Sequence, residues 1–157
     1  MFFVIKYKAV ILLNQFMKLA IEEARIAMCG GEVPVGAVVT KNGVVVAKAH
    51  NLVEKLHDST AHAEILAIRK AGEVLGNWRL TECSLYVTLE PCAMCAAALL
   101  RARIAALYFG SFDSEFGAVE SNRLIVNPRL SVYCGIEEDE CNKIIRSFFD
   151  KKRLKCE

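Results

Sequence analysis

Cys92 and Cys95 stand two residues apart in "EPCAMCAAALL", directly behind Pro91 and ahead of an alanine- and leucine-rich run. Proline is pre-shaped for the first turn of a helix and needs no backbone donor there, so this segment predicts a helix start. A spacing of three puts both sulfurs on one helix face. The unpaired N–H groups and the positive end of the helix dipole favour thiolate, the form that binds metal. A redox dithiol also sits well at a helix start, so the pair alone leaves three readings open: redox, structural zinc or catalytic zinc.

The second half of the pattern lies thirty residues earlier. His62 and Glu64 occur in "TAHAE", where another helix is predicted to begin after an extended segment. Two cysteines and one histidine make three zinc ligands. Structural zinc sites close the fourth position, whereas catalytic sites leave it open, and zinc in such a site lowers the pKa of its bound water to about 7. Glu64 shares the first helical turn with His62 and is placed to move protons beside that water without ligating the metal. Two residues could close the site. Cys83 shares a strand face with Leu85 and Val87 and reads as a small apolar residue. His57 sits in a polar loop and reads as solvated. Cys29, Cys134, Cys141 and Cys156 lie near predicted element ends and read as free thiols.

The elements that must position these groups follow from hydrophobic periodicity. From about Asn14, Phe16, Leu19, Ala20, Ile21 and Ala24 share a helical face, with Glu22, Glu23 and Arg25 mainly outside and Gly30-Gly31 as the stop. "VPVGAVVT" and "VVVAKAH" flank Asn42-Gly43, a strong hairpin signal. A polar loop, "NLVEKLHDST", leads to the His62 helix, which is expected to end near Gly72. The strand "SLYVTL", the Pro91 helix and the strand "IAALYFG" form a βαβ unit with parallel pairing. A long loop covers roughly Ser111 to Arg129, then a weaker strand, "LSVYC". The last helix is acidic at its start and basic at its end, as its dipole prefers. Together these predict a three-layer α/β/α domain around a mixed sheet of about five strands. Both site helices follow extended segments, so their N-termini can meet beyond the strand ends, where α/β sheets place their sites.

The whole chain is consistent with this. Its 157 residues suit one domain. A hydrophobic content of 54% argues against disorder. A net charge of +2 gives no global basic field, so any nucleic-acid surface must be local. Seven cysteines, an odd number without a small-scaffold pattern, favour a reducing compartment over a disulfide framework. Lys6 and Lys8 interrupt the apolar start, which is too short to span a bilayer and wrongly ordered for a signal peptide. Residues 1–13 are read as an N-terminal extension, residues 14–157 as the domain, the compartment as the cytoplasm, and no membrane partner is expected.

H-x-E followed by P-C-x-x-C is the signature of zinc deaminases. With "EVPVGAVV", "HDSTAHAEILAIRKA", "NWRL", "LYVTLEPCAMCAAAL" and "FFDKKR" in order, the chain resembles the tRNA-specific adenosine deaminases, the bacterial type that makes inosine at the wobble position of an arginine tRNA. The likeness runs from about Phe16 to Arg153. It implies a cytidine-deaminase-like fold, one zinc ion per subunit, a homodimer and an anticodon stem-loop as substrate. By position it implies that His62, Cys92 and Cys95 hold zinc and that Glu64 transfers protons. Asn51 matches the asparagine that holds the flipped purine, and Asp113 an acid near the neighbouring nucleotide's sugar. Phe148, Phe149, Lys151, Lys152 and Arg153 match a basic-aromatic helix beside the anticodon stem. Ser59 replaces a usual proline, Glu120 a common glycine, an Asn-His pair is missing, and "NPRLSVYCG" is about three residues short. Without the resemblance, Asn51 reads as a turn residue, Phe148-Phe149 as core or dimer packing, and the three basic residues as a solvated helix cap.

The motif leaves the substrate base open, since deaminases of guanine, cytosine and deoxycytidylate share it. A non-catalytic zinc module that binds RNA or a protein is a third reading, opposed by Glu64 and by the missing fourth ligand.

Overall fold

The computed structural model describes the backbone of residues 2–125 and 127–153, with side chains from Asn14 onward apart from residue 126. Helix α1 spans Phe2–Cys29, strand β1 Gly36–Lys41 and β2 Val44–His50. Helix α2 is one short turn, Val53–Leu56, and α3 spans Ala63–Leu75. Then come β3 (Cys83–Leu89), α4 (Ala93–Arg101), β4 (Ala106–Ser111), β5 (Ser131–Cys134) and α5 (Glu138–Arg153). The sheet order is β2-β1-β3-β4-β5. β1 is antiparallel to both β2 and β3, whereas β3–β4 and β4–β5 are parallel. The expected mixed five-stranded sheet is therefore present. The β1–β2 turn is made by Asn42 and Gly43, both with positive φ (52° and 73°), the combination that matches the twist of the flanking strands.

Alternation along the strands feeds two cores. On one face, Val39, Cys83, Leu85, Val87, Leu107 and Phe109 pack with Ala63, Ala67 and Ala71 of α3 and with Ala96 and Leu99 of α4. On the other, Val38 and Tyr86 pack with Phe16, Met17, Ala20 and Ile21 of α1 and with Cys141 and Ile144 of α5. Helices on both faces of one sheet make the three layers. In α5 the buried residues Cys141, Ile144 and Phe148 recur at helical spacing, so the helix is held by one stripe. Phe148 is 7% exposed and Phe149 43%. Phe148→Ala should cost about 3 kcal/mol in urea denaturation, while Phe149→Ala should stay within about 1 kcal/mol.

Three expectations need correction. The first helix starts at Phe2, not near Asn14, so the backbone of residues 2–13 continues α1. No proline or glycine interrupts that stretch to stop it. Helix α3 runs through Gly72 and ends at Leu75, where Gly76 turns left-handed and returns its N–H to the last turn. An interior glycine weakens a helix by only about 1 kcal/mol and does not by itself end one. Glu23, expected outside, is buried. Its carboxylate meets His50 Nδ1 at 2.7 Å and Lys48 Nζ at 3.7 Å, which ties α1 to the edge strand β2.

Candidate functional site

β3 and β4 end at Leu89 and Ser111 on the same side of the sheet, and β2 ends there too because it runs antiparallel to β1, which is itself antiparallel to β3. The segments that leave these ends carry the site. His62 and Cys92 each occupy the residue just before a helix, with extended backbone (ψ 151° and 172°). Each carbonyl accepts the first helical bond, from Leu66 and Ala96 respectively. Serine, threonine, aspartate or asparagine would cap such a position with a side-chain oxygen. Here neither side chain caps its helix, and both turn instead to each other.

His62 Nδ1 lies 3.8 Å from Cys92 Sγ and 3.5 Å from Cys95 Sγ. All three donor atoms fall within 4.8 Å of one another. A tetrahedral zinc with ordinary Zn–S and Zn–N bonds needs an S···N edge of about 3.6 Å, so the three donors fit zinc as they stand. No fourth protein donor from the described residues completes the group. Cys83 is buried at the far end of β3, and His57 is exposed where α2 ends. The sulfurs behave as one proton-sharing pair. A hydrogen bond from Cys95, aided by His62, draws the Cys92 thiol down to about 4, while the Cys92 sulfur and burial push Cys95 up. His62 is raised, chiefly by its bond to Cys92. A divalent cation would take the place of the shared protons.

Glu64 lies in the first turn of α3 and is 4% exposed. Burial pushes its carboxyl up to about 7. It shares a cavity of about 510 Å³ with His62, Cys92, Asn51, Asp113 and Lys152, a size typical of ligand sites. The structure thus brings together six of the expected residues around one space, with Cys95 buried behind them. Phe149, Lys151 and Arg153 do not line it, and Arg153 pairs with Asp150 at 2.9 Å. Lys152 reaches the cavity by lying over the buried Phe148 ring, 4.9 Å from its centre. Ser59 also lines the cavity. Glu120 keeps an ordinary negative φ, so no glycine is needed there.

Two buried acids that sequence reasoning passed over hold the walls. Glu32 is 2% exposed and accepts the backbone N–H of Glu54 (3.1 Å) and of Lys55 (2.8 Å). It also accepts the Asn51 side-chain amide at 3.4 Å, so α2 and Asn51 are fixed from one carboxylate. Glu90, likewise 2% exposed, gathers the loop that carries Asp113. Asp113 in turn caps the next turn, its Oδ1 accepting from Glu115 and Phe116 at 3.0 Å each.

Residues 12–111 match the family described as the cytidine and deoxycytidylate deaminase zinc-binding region. A tRNA-specific adenosine deaminase of Agrobacterium fabrum is 51% identical over 146 residues, covering 90% of this chain and 96% of that protein. A solved structure from work on A-to-I editing by tRNA:A34 deaminases superposes with a TM-score of 0.79 at 50% identity, covering 83% of this chain and 98% of its own. A guanine deaminase from Bacillus subtilis superposes with a TM-score of 0.61 at 40% identity, over 64% of this chain and 65% of its own.

Proposed function

We propose that this chain, which belongs to the cytidine and deoxycytidylate deaminase zinc-binding family and within it to the tRNA-specific adenosine deaminases, hydrolyses adenosine to inosine at the wobble position of a tRNA anticodon. The observation that carries the reading is a three-donor His/Cys/Cys cluster beside a buried Glu64 at the wall of a nucleoside-sized cavity.

His62, Cys92 and Cys95 would hold zinc, one ion per subunit, and bound zinc lowers the pKa of its water to about 7. The remaining chemistry belongs to the chain. Water must give up two protons and form a bond to C6, the C6–amine bond must break, and the amine must leave as ammonia. Glu64 is placed to pass the first of these protons to a ring nitrogen, where it stays, and the second, from the hydroxyl then on C6, to the leaving amine, and its burial keeps both protonation states accessible near neutrality. Asn51, held by Glu32, offers an amide to the base edge. A base in an anticodon loop is unpaired and costs little to splay outward, which suits a recessed cavity that opens to the surface. Asp113 and Lys152, at the cavity rim, would meet the flanking nucleotides, with Phe149, Lys151 and Arg153 further out along α5. A homodimer and a cytoplasmic location complete the reading; the free thiols of the described residues suit a reducing compartment. No described helix is long and apolar enough to cross a membrane.

The deciding experiment supplies zinc-loaded protein with an anticodon stem-loop carrying A34 and, separately, with guanine, cytosine and deoxycytidylate. Inosine in the stem-loop is expected. Ammonia from a free base or nucleotide, with the stem-loop untouched, would replace this reading with the small-molecule one. If α5 tracks the RNA backbone, Lys151→Ala/Lys152→Ala should flatten the slope of log affinity against log salt by roughly one unit per lysine. An unchanged slope would leave both as a solvated cap.

A further inference from the structure

One wall of the cavity is a loop, residues 112–121, that brings in Asp113 and Phe116. It contains no helix or strand, only an isolated bridge between Gly117 and Cys92. Gly117 N–H bonds back to the Asp113 carbonyl and the Asn122 amide to the Gly117 carbonyl, but one side chain, Glu90, reaches both ends. Glu90 Oε1 accepts the backbone N–H groups of Val119 (3.2 Å), Glu120 (2.7 Å) and Ser121 (2.8 Å). Glu90 Oε2 accepts the backbone N–H of Asp113 (3.1 Å) and the Ser121 hydroxyl. The start and the end of the loop therefore meet on one carboxylate. Ala118 N–H adds a bond to the Pro91 carbonyl at 3.0 Å, which lays the loop along the metal-binding segment. Gly117 fits this crossing because a Cβ there would collide with the Asp113 carbonyl and the Glu90 carboxylate.

We infer that Glu90, which itself borders the cavity, is a positioning residue for RNA recognition: its carboxylate is taken up by the loop and fixes the Asp113–Phe116 wall against the cavity. The chemistry demands a carboxylate. Five donors and no acceptor face Glu90, and only an ionised carboxylate accepts on both oxygens. Glutamine would turn an NH2 group toward backbone N–H groups on one side or the other, leaving buried donors unpaired. Aspartate, one methylene shorter, would not reach both ends of the loop. The loop touches the zinc donors only at the Gly117–Cys92 bridge, and their main supports are α3, α4 and the sheet. Loss of the clamp should therefore loosen the loop and leave the metal in place.

Hydrogen exchange on zinc-loaded protein tests this directly, with wild type, Glu90→Gln and Ser121→Ala compared. Glu90→Gln should speed exchange of residues 112–121 by about 10- to 100-fold, the range for losing charged hydrogen bonds, with peptides of α4 and the zinc content unchanged. Ser121→Ala removes one donor and reverses none, so it should speed the same segment by about threefold and serves where the glutamine variant fails to fold. In kinetics on the A34 stem-loop, Glu90→Gln should raise KM by about tenfold or more while kcat stays within about threefold. Wild-type exchange in both variants, or a fall in kcat at constant KM, overturns the inference. The kinetic arm rests on the tRNA reading. Were the wild type inactive on the stem-loop, that reading would fail and the exchange arm would still decide the role of Glu90.

Discussion

Glu64→Ala should retain one zinc per chain by elemental analysis and lower turnover of an A34 stem-loop by about 10⁴-fold, the upper end for a general acid–base group. The upper end is expected because one carboxyl is asked to serve several proton transfers in a single cycle. The expectation that zinc stays follows from geometry: the three donors contact one another and Glu64 is not among them. The fold should not suffer either. The carboxyl is buried in surroundings that push it up to about 7, so its removal relieves a desolvation cost. Glu64→Ala should melt no lower than wild type. Glutamine at the same position keeps the shape and loses the titrating oxygen, so it should be as inactive as alanine. Turnover within about tenfold of wild type in a metal-replete Glu64 variant would move the proton-transfer role elsewhere.

The reacting cluster was legible because chemistry and periodicity coincide in it. His62 and Cys92 each end an extended segment and precede a run with helical spacing, so their residue types and their positions gave the same answer. The three layers followed for a similar reason, since alternation in β3 sends Leu85 to one core and Tyr86 to the other. Glu32 and Glu90 had no such support. Their partners are backbone N–H groups 22 to 31 positions away, and a backbone donor leaves no mark on residue type. The one available signal was an acid between Leu89 and Pro91, at the mouth of an apolar strand where burial is expected. Glu23 was misread for the same kind of reason. Its partner, His50, belongs to the edge strand, and helical phase alone does not show that the sheet rises beside it. The contrast between Lys151 and Lys152 could have been read. Lys152 stands four residues beyond Phe148 and so shares the buried stripe's side of α5, where it covers that ring and reaches the cavity.

Replacing a zinc donor should remove the metal, the activity and part of the stability together. Cys92→Ala or His62→Ala should bind well under about one tenth of a zinc per chain, since two donors do not hold the ion that three do. The cluster joins the start of α3 to the start of α4. Zinc bound there stabilises only the folded chain, by about 4 kcal/mol when free zinc is a thousandfold above its dissociation constant, or on the order of 10 °C for a domain of this size. Wild type stripped by a chelator should therefore melt near Cys92→Ala, and the chelator should leave the variant unmoved. Cys83→Ala supplies the counter-test. That thiol is fully buried in the core under α3 and α4, away from the cluster. Losing it should cost about 1 kcal/mol of packing and no zinc. Zinc retained by Cys92→Ala, or lost from Cys83→Ala, would mean that the ion is held by a different set of donors than His62, Cys92 and Cys95.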